Sequence, residues 1–294
     1  MIQGRILKGI GGFYYVLAEG ITYECRARGL FKLKKETPLV GDRVEIQIQS
    51  TEPPEGYILK LLKRDVELTR PAVANVEQAI IVFAAHSPEF NPMLLDKLLI
   101  LCTCAGIDPV ICINKSDLGL SEKLAAQLGV YERIGYPVIQ TSTRIEGGTQ
   151  ALCDALQDRT SVFAGPSGVG KSSLLNKVQP NLRLQTGVIS EKIKRGKHTT
   201  RHSELMPLEI GGWVVDTPGF TSLDLDAVEP EKLADCFPEF KPHIELCRFN
   251  DCSHLNEPGC AVQEQLGSEI ALGRYESYRA LYTQLIHDRR NKSW

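Results

Sequence analysis

The chain has 294 residues, 43% apolar and 24% charged, with a formal net charge of −2. That length holds two or three domains, one with a sizeable core, and the near-neutral balance leaves any nucleic-acid binding to local patches. The longest apolar run, Ala79 to Ala85, falls far short of the ~20 residues that span a bilayer, and the N-terminal stretch "MIQGRILKGIGGFYY" carries no export signal. The nine cysteines therefore read as reduced thiols or metal ligands of a cytoplasmic protein, with no membrane partner, and not as a disulfide framework.

Residues 1–66 read as β throughout. "GRILKG", "GFYYVLAE", "ITYECRAR", "DRVEIQIQ" and "GYILKLLKR" are short runs broken by Gly, Pro and charged turns. Val44, Ile46 and Ile48 alternate with Glu45, Gln47 and Gln49, the period-two mark of a half-buried strand. Five such strands suit a small closed barrel of the OB type. Residues 1–65 hold 11 Lys and Arg against 8 Asp and Glu, a surface that fits an RNA-binding barrel and a merely solubilising one equally well.

Residues 67–222 change character. "VEQAIIVFAA" is a continuous apolar run, expected of a strand buried on both faces. "NPMLLDKLLILCTCAG" has helical spacing, "DPVICINK" is a second buried strand, and "SEKLAAQLG" reads as a short helix capped by Ser121 and ended by Gly129. "YPVIQTS", "GTQALCDALQ", "TSVFAG" and "GKSSLLNKV" continue the alternation of strand and helix. That alternation predicts a mostly parallel sheet with helices on both faces. "SELMPLEI" and "GWVVDT", parted by Gly211 and Gly212, read as a hairpin. Residues 223–294 are acidic, then cysteine-bearing, then helical.

"GPSGVGKSS", Gly165, Pro166, Ser167, Gly168, Val169, Gly170, Lys171, Ser172 and Ser173, fits the phosphate-loop pattern G-x-x-x-x-G-K-[ST]. It follows a strand and opens a helix, as the chemistry requires. Its glycines let backbone N–H groups converge on phosphate oxygens, Lys171 reaches the β- and γ-phosphates, and the Ser172 hydroxyl suits Mg²⁺. "VVDTPG" ends a buried strand with Asp216, a second Mg²⁺ candidate, and Gly219, whose N–H suits a γ-phosphate. "NKSD" supplies base choice. Asp117 accepts from guanine N1–H and the 2-amino group, donors that adenine lacks. Asn114 bridges base and phosphate loop, and Lys115 packs along the base. "QTST", with Ser142, suits the loop that meets guanine O6.

The base box precedes the phosphate loop, the reverse of ordinary GTPases. Every box nonetheless sits at a strand end, so all can share one carboxyl edge of a parallel sheet. Joining old termini and opening the chain elsewhere preserves such a pocket. The arrangement therefore reads as a circular permutation.

The order "NKSD", "TST", "GPSGVGKSS", "GKHTT", "DTPG" resembles the RsgA/YjeQ family, the circularly permuted GTPases of the bacterial small ribosomal subunit. "TRPAVANVEQAIIVFA" is similar to that family's entry into its GTPase domain, and the resemblance covers essentially the whole chain. It implies a multidomain α/β protein: an OB-fold RNA-binding barrel (1–66), a circularly permuted GTPase domain (67–222) and a zinc-binding domain with a C-terminal helix (223–294). It implies a monomer that hydrolyses GTP to GDP, binds the small subunit and its rRNA but not DNA, assists late maturation, helps release an assembly factor, and is stimulated by the subunit.

Cys247, Cys252, His254 and Cys260 read C-x₄-C-x-H-x₅-C, a Cys₃His set suited to one structural zinc ion, and the family has the same spacing. The other cysteines, most of them in apolar segments, read as packing, and His86, His202, His243 and His287 as surface groups. Phe220 follows "DTPG", where many Ras-like enzymes have the Gln that orients water. In the family the His before the paired threonines is the proposed catalytic residue. That implies His198, acting with Lys171, and makes Thr199 or Thr200 a further Mg²⁺ ligand; Thr200 also joins the GTP contacts. Lys197 stands where the family usually has Arg. A solvated loop histidine that contacts RNA is the other reading of His198. Five cations, Lys192, Lys194, Arg195, Lys197 and Arg201, surround it and suit rRNA phosphates. A GTP-sensing, RNA-binding scaffold with negligible turnover is the alternative that Phe220 leaves open. From Phe220 the chain runs by one short linker into the zinc segment, so GTP is expected to set that segment's orientation.

Overall fold

The computed structural model describes residues 1–27, 31, 36–69, 72–180, 203–216, 225 and 228–292. Five strands form the N-terminal barrel: β1 (Ile2–Ile10), β2 (Phe13–Ala18), β3 (Ile21–Ala27), β4 (Arg43–Thr51) and β5 (Pro54–Leu61). β1 pairs with both β2 and β4, and β3 runs parallel to β5, so the order closes as β1-β2-β3-β5-β4-β1. This is a five-stranded barrel of OB type. Ile6, Val16, Tyr23, Cys25, Val44, Ile46 and Ile58 fill it. Ile48, the third member of the alternating run, is exposed instead.

A short hairpin of β6 (Glu67–Thr69) and β7 (Ala72–Ala74) follows the barrel. The nucleotide-domain sheet then holds β8 (Gln78–Ala84), β9 (Asp108–Asn114), β10 (Val138–Gln140), β11 (Thr160–Ala164), β12 (Glu204–Pro207) and β13 (Trp213–Asp216). Its order is β10-β9-β8-β11-β13-β12, with β12 alone antiparallel. The apolar run in β8 is explained by burial on both faces. Ala79, Ile81 and Phe83 enter one core, and Ile80, Val82 and Ala84 enter the other.

Helices α1 (Pro92–Ala105) and α2 (Glu122–Ile134) cover the first face, and α3 (Gln150–Leu156) and α4 (Lys171–Val178) cover the second. Asn91 caps α1, accepting from the Leu94 N–H at 3.1 Å, and Pro92 occupies its first position. Ser121 caps α2 in the same way at 3.2 Å. α2 does not stop at Gly129 but continues to Ile134, with Gly135 as its C-cap. Leu124, Leu128 and Tyr131 keep one buried stripe across the glycine, and that packing outweighs its helix penalty of ~1 kcal/mol.

β1 also bridges to β12, with Lys8 opposite Glu204, and Glu204 is in turn opposite Asp216. Barrel and nucleotide sheet are thus one continuous eleven-stranded sheet. The C-terminal body adds α5 (Lys241–Ile244), α6 (Ala261–Glu264) and α7 (Leu272–Lys292) around Phe237, Phe240, Val262, Tyr278 and Leu281. It packs on α1, where Arg274 Nη1 lies 2.5 Å from Asp96 Oδ1 and Arg274 Nε lies 2.7 Å from Glu239 Oε1. The Tyr131 hydroxyl donates to the same Asp96 oxygen at 2.8 Å. His243, expected at the surface, is buried in this body, with Nε2 3.0 Å from Glu269 Oε2.

Candidate nucleotide site and metal centre

The parallel strands end together at one edge. β11 stops at Ala164, the loop 165–170 turns over that edge, and Lys171 begins α4. Gly165 has φ +122°, and a Cβ there would lie 2.1 Å from the Val82 carbonyl oxygen. Gly170 has φ +96°, and a Cβ there would lie 2.4 Å from Asn114 Nδ2. Only glycine tolerates both the positive φ and the close approach. Lys171 Nζ donates to the Gly165 and Pro166 carbonyls at 2.7 and 2.8 Å, and burial lowers its pKa. The ammonium is held at the mouth of the loop, beside a helix N-terminus whose partial charge favours anions.

The base box meets this loop directly. Buried Asn114, the last residue of β9, donates from Nδ2 to the Val169 carbonyl at 2.8 Å. Lys115, at φ +63°, donates to the Gly168 carbonyl at 3.0 Å and to the Ser87 carbonyl. Ser142 Oγ donates to Asp117 Oδ1 at 2.6 Å and accepts from the Arg144 N–H at 3.0 Å. Ser116 N–H reaches the Thr141 carbonyl at 3.0 Å, tying the two loops by their backbones as well. Ser172 and Ser173 lie in the first turn of α4. Asp216 ends β13, and Val215 is in register with Val162 of the phosphate-loop strand. Residues 114–117, 142, 165–173 and 216 therefore share one sheet edge. His198, Thr199, Thr200, Gly219 and Phe220, and the five cations of 192–201, lie outside the described residues.

Cys247, Cys252, His254 and Cys260 converge in the C-terminal body, all four ligand atoms lying within 4.8 Å of one another. Cys247 Sγ and Cys260 Sγ stand 3.5 and 3.4 Å from His254 Nδ1 and 4.0 Å from each other. A tetrahedral zinc ion with bonds of about 2.3 Å to sulfur and about 2.0 Å to nitrogen sets ligand separations of roughly 3.5–3.8 Å. The donor set and its spacing therefore fit zinc. His254 takes φ +58°, and its carbonyl accepts from the Tyr275 hydroxyl at 2.8 Å. The Tyr278 hydroxyl donates to the Ser253 carbonyl at 2.7 Å. The Glu257 carboxylate accepts from the N–H groups of Ser253, Leu255 and Asn256 at 2.8–3.0 Å and from Ser253 Oγ. Burial pushes its pKa up, but these donors prevail and bring it down to about 2.

The RsgA GTPase model matches residues 60–226, and the RsgA N-terminal domain model matches residues 3–58. The chain belongs to the RsgA GTPase family. It is 50% identical over 291 residues, 99% of this chain and all of that protein, to the small ribosomal subunit biogenesis GTPase RsgA of Alkaliphilus metalliredigens. The protein of the same name in Geobacillus kaustophilus is 50% identical over 289 residues, covering 97% of this chain and 98% of its own. Among solved structures, YloQ, described as a circularly permuted GTPase, superposes with TM-score 0.82 at 39% identity, over 98% of this chain and 96% of its own. YjeQ from Thermotoga maritima superposes with TM-score 0.84 at 36% identity, over 97% of this chain and 98% of its own.

As an RsgA GTPase the chain is a GTP-hydrolysing enzyme, and its family implies GTP and GDP with Mg²⁺. The permutation read from the box order is a property of this family's fold. Among the described residues no helix is long and apolar enough to cross a membrane. Two polar residues beside these sites, His86 and Glu257, have partners that no motif announces, and Ser142, placed by "QTST", has a further one. The Ser142 side chain orients Asp117. His86 Nε2 lies 2.9 and 3.0 Å from the Leu118 and Gly119 carbonyls, just past the base box. Glu257 ties the cysteine knuckle together, and its one sequence signal is an acid placed three residues after the ligand histidine.

Proposed function

We propose that this chain is a cytoplasmic GTPase that binds the small ribosomal subunit through its rRNA and assists its late maturation. It hydrolyses GTP to GDP and phosphate, and the subunit stimulates it. The observation that carries the reading is the union of the base box and the phosphate loop through Asn114 and Val169, together with relatives of full-length similarity named for small-subunit biogenesis.

In this reading Asp117, Asn114, Lys115 and Ser142 select guanine. Residues 165–173 wrap the phosphates, with Lys171 neutralising charge that grows on the γ-phosphate. Ser172 and Asp216, with Thr199 or Thr200, would hold Mg²⁺, which supplies further charge neutralisation there. Thr200 and Gly219 would contact the γ-phosphate. The Phe220 side chain has no polar atom with which to orient water, so His198 takes that task when rRNA is bound. Cys247, Cys252, His254 and Cys260 would hold one structural zinc ion. The protein acts as a monomer, and the barrel and the basic run 192–201 are its rRNA contacts. Sedimentation with small subunits tests the partner: the chain should pellet with them more tightly with a non-hydrolysable GTP analogue than with GDP, and failure to pellet in either state refutes it.

A further inference from the structure

α1 is a wall shared by two cores. Leu95, Leu98, Leu99 and Cys102 face the nucleotide-domain core, while Ile100, with Met93 and Leu101, faces the C-terminal core. At the end of the helix, on this seam, Cys104 Sγ lies 3.5 Å from Cys236 Sγ, a residue 132 positions further along the chain. Cys104 is exposed. Cys236 is buried in the single turn Ala234–Cys236, immediately before the core residue Phe237. Neither belongs to the nucleotide edge or to the cysteine knuckle.

We propose that Cys104 and Cys236 are a redox-modifiable dithiol that low-molecular-weight disulfides convert to a disulfide, stapling the C-terminal body to α1. The Cys104 thiolate attacks one sulfur of RS–SR. That S–S bond breaks, a mixed disulfide forms on Cys104, and RS⁻ leaves and takes up a proton. Cys236 then gives up its proton and attacks the Cys104 sulfur, and the second RS⁻ leaves to become RSH. The protein loses two electrons and two protons, and RS–SR gains both.

The order of attack follows from the pair itself. The hydrogen bond from Cys236 brings the Cys104 thiol down to about 7, which favours its thiolate as the attacking group. The hydrogen bond to Cys104 and then burial push the Cys236 thiol up. The exposed sulfur therefore meets the small disulfide, and the buried one resolves the adduct. Cys102 and Cys112 contrast with this arrangement, since both are buried and their thiols are pushed up to about 12.

The test uses the full-length, zinc-loaded protein, fully reduced and then exposed to glutathione disulfide. Remaining thiols are alkylated, and fragmentation of proteolytic peptides locates each bond. The expected result is a Cys104–Cys236 link with loss of two hydrogens, reversed by dithiothreitol. Cys104→Ser should abolish it, and Cys236→Ser should stop at a glutathione adduct on Cys104. A wild-type protein that keeps the adduct unresolved, or that oxidises other cysteines while these two stay alkylatable, overturns the proposal.

Discussion

Ser142 Oγ donates a 2.6 Å hydrogen bond to Asp117 Oδ1, joining two loops that follow neighbouring strands of one sheet. The Asp117 carboxylate is thereby oriented before a base arrives. A fixed acceptor discriminates well, because a wrong base leaves it without partners. Asp117→Asn should weaken GTP binding by roughly 10–150-fold, as expected for loss of a charge-assisted hydrogen bond, and should favour xanthosine nucleotides. Titration with fluorescent GTP and XTP analogues checks this, and unchanged GTP affinity would remove Asp117 from base recognition.

The knuckle should hold about one zinc ion per chain after gentle purification. Chelation should unfold residues around 247–260, because structural zinc contributes folding energy directly. Glu257→Ala should lower zinc affinity, read by competition with a chelator, by roughly 10–100-fold, the scale for losing an outer-shell support, while leaving all four ligands in place. Metal analysis that finds no zinc would end this assignment.

Arg274 joins Asp96 of α1 to Glu239 of the C-terminal body, and all three side chains are almost fully buried. Arg274→Ala leaves two buried carboxylates without their cation and should cost about 3–5 kcal/mol. Replacing the set with apolar residues of similar volume should recover much of that loss. Denaturant midpoints of the two variants give the comparison. A loss below about 1 kcal/mol, the range of an exposed pair, would show that the seam is held by its apolar contacts alone.

His198→Ala should lower subunit-stimulated turnover by roughly 10²–10⁴-fold, the range for a positioned acid–base group, and change GTP affinity little. Equal turnover in variant and wild type would leave His198 as an RNA-facing loop residue.

The nucleotide edge was legible because phosphate and guanine dictate residue type and spacing over a few positions. Gly165, Lys171, Asn114 and Asp117 declare themselves without a fold. His86 and Glu257 do not, since a histidine or a glutamate is an ordinary loop residue until the fold supplies its partner; Ser142 was legible in "QTST", but its bond to Asp117 was not. The Arg274–Asp96 pair spans 178 positions, beyond any local pattern. The zinc-bearing segment, reached by one short linker in the sequence, also shares a buried ionic seam with α1. The seam gives coupling between nucleotide and this body a route through α1 and α2, where Tyr131 meets Asp96, beside the linker that follows Asp216. α2 follows the base box by a few residues, so the two sites are mechanically close. A GTP analogue should raise subunit affinity over GDP by ~5–150-fold, and the subunit should raise analogue affinity relative to GDP affinity by the same factor. Unequal factors would mean that a further equilibrium intervenes.

The most direct measurement of the central claim is multiple-turnover phosphate release with and without purified small ribosomal subunits. The account predicts slow release from the protein alone, because Phe220 leaves the attacking water unpositioned, and a large acceleration when subunits are added. Release that subunits do not accelerate would contradict it and favour the nucleotide-sensing scaffold.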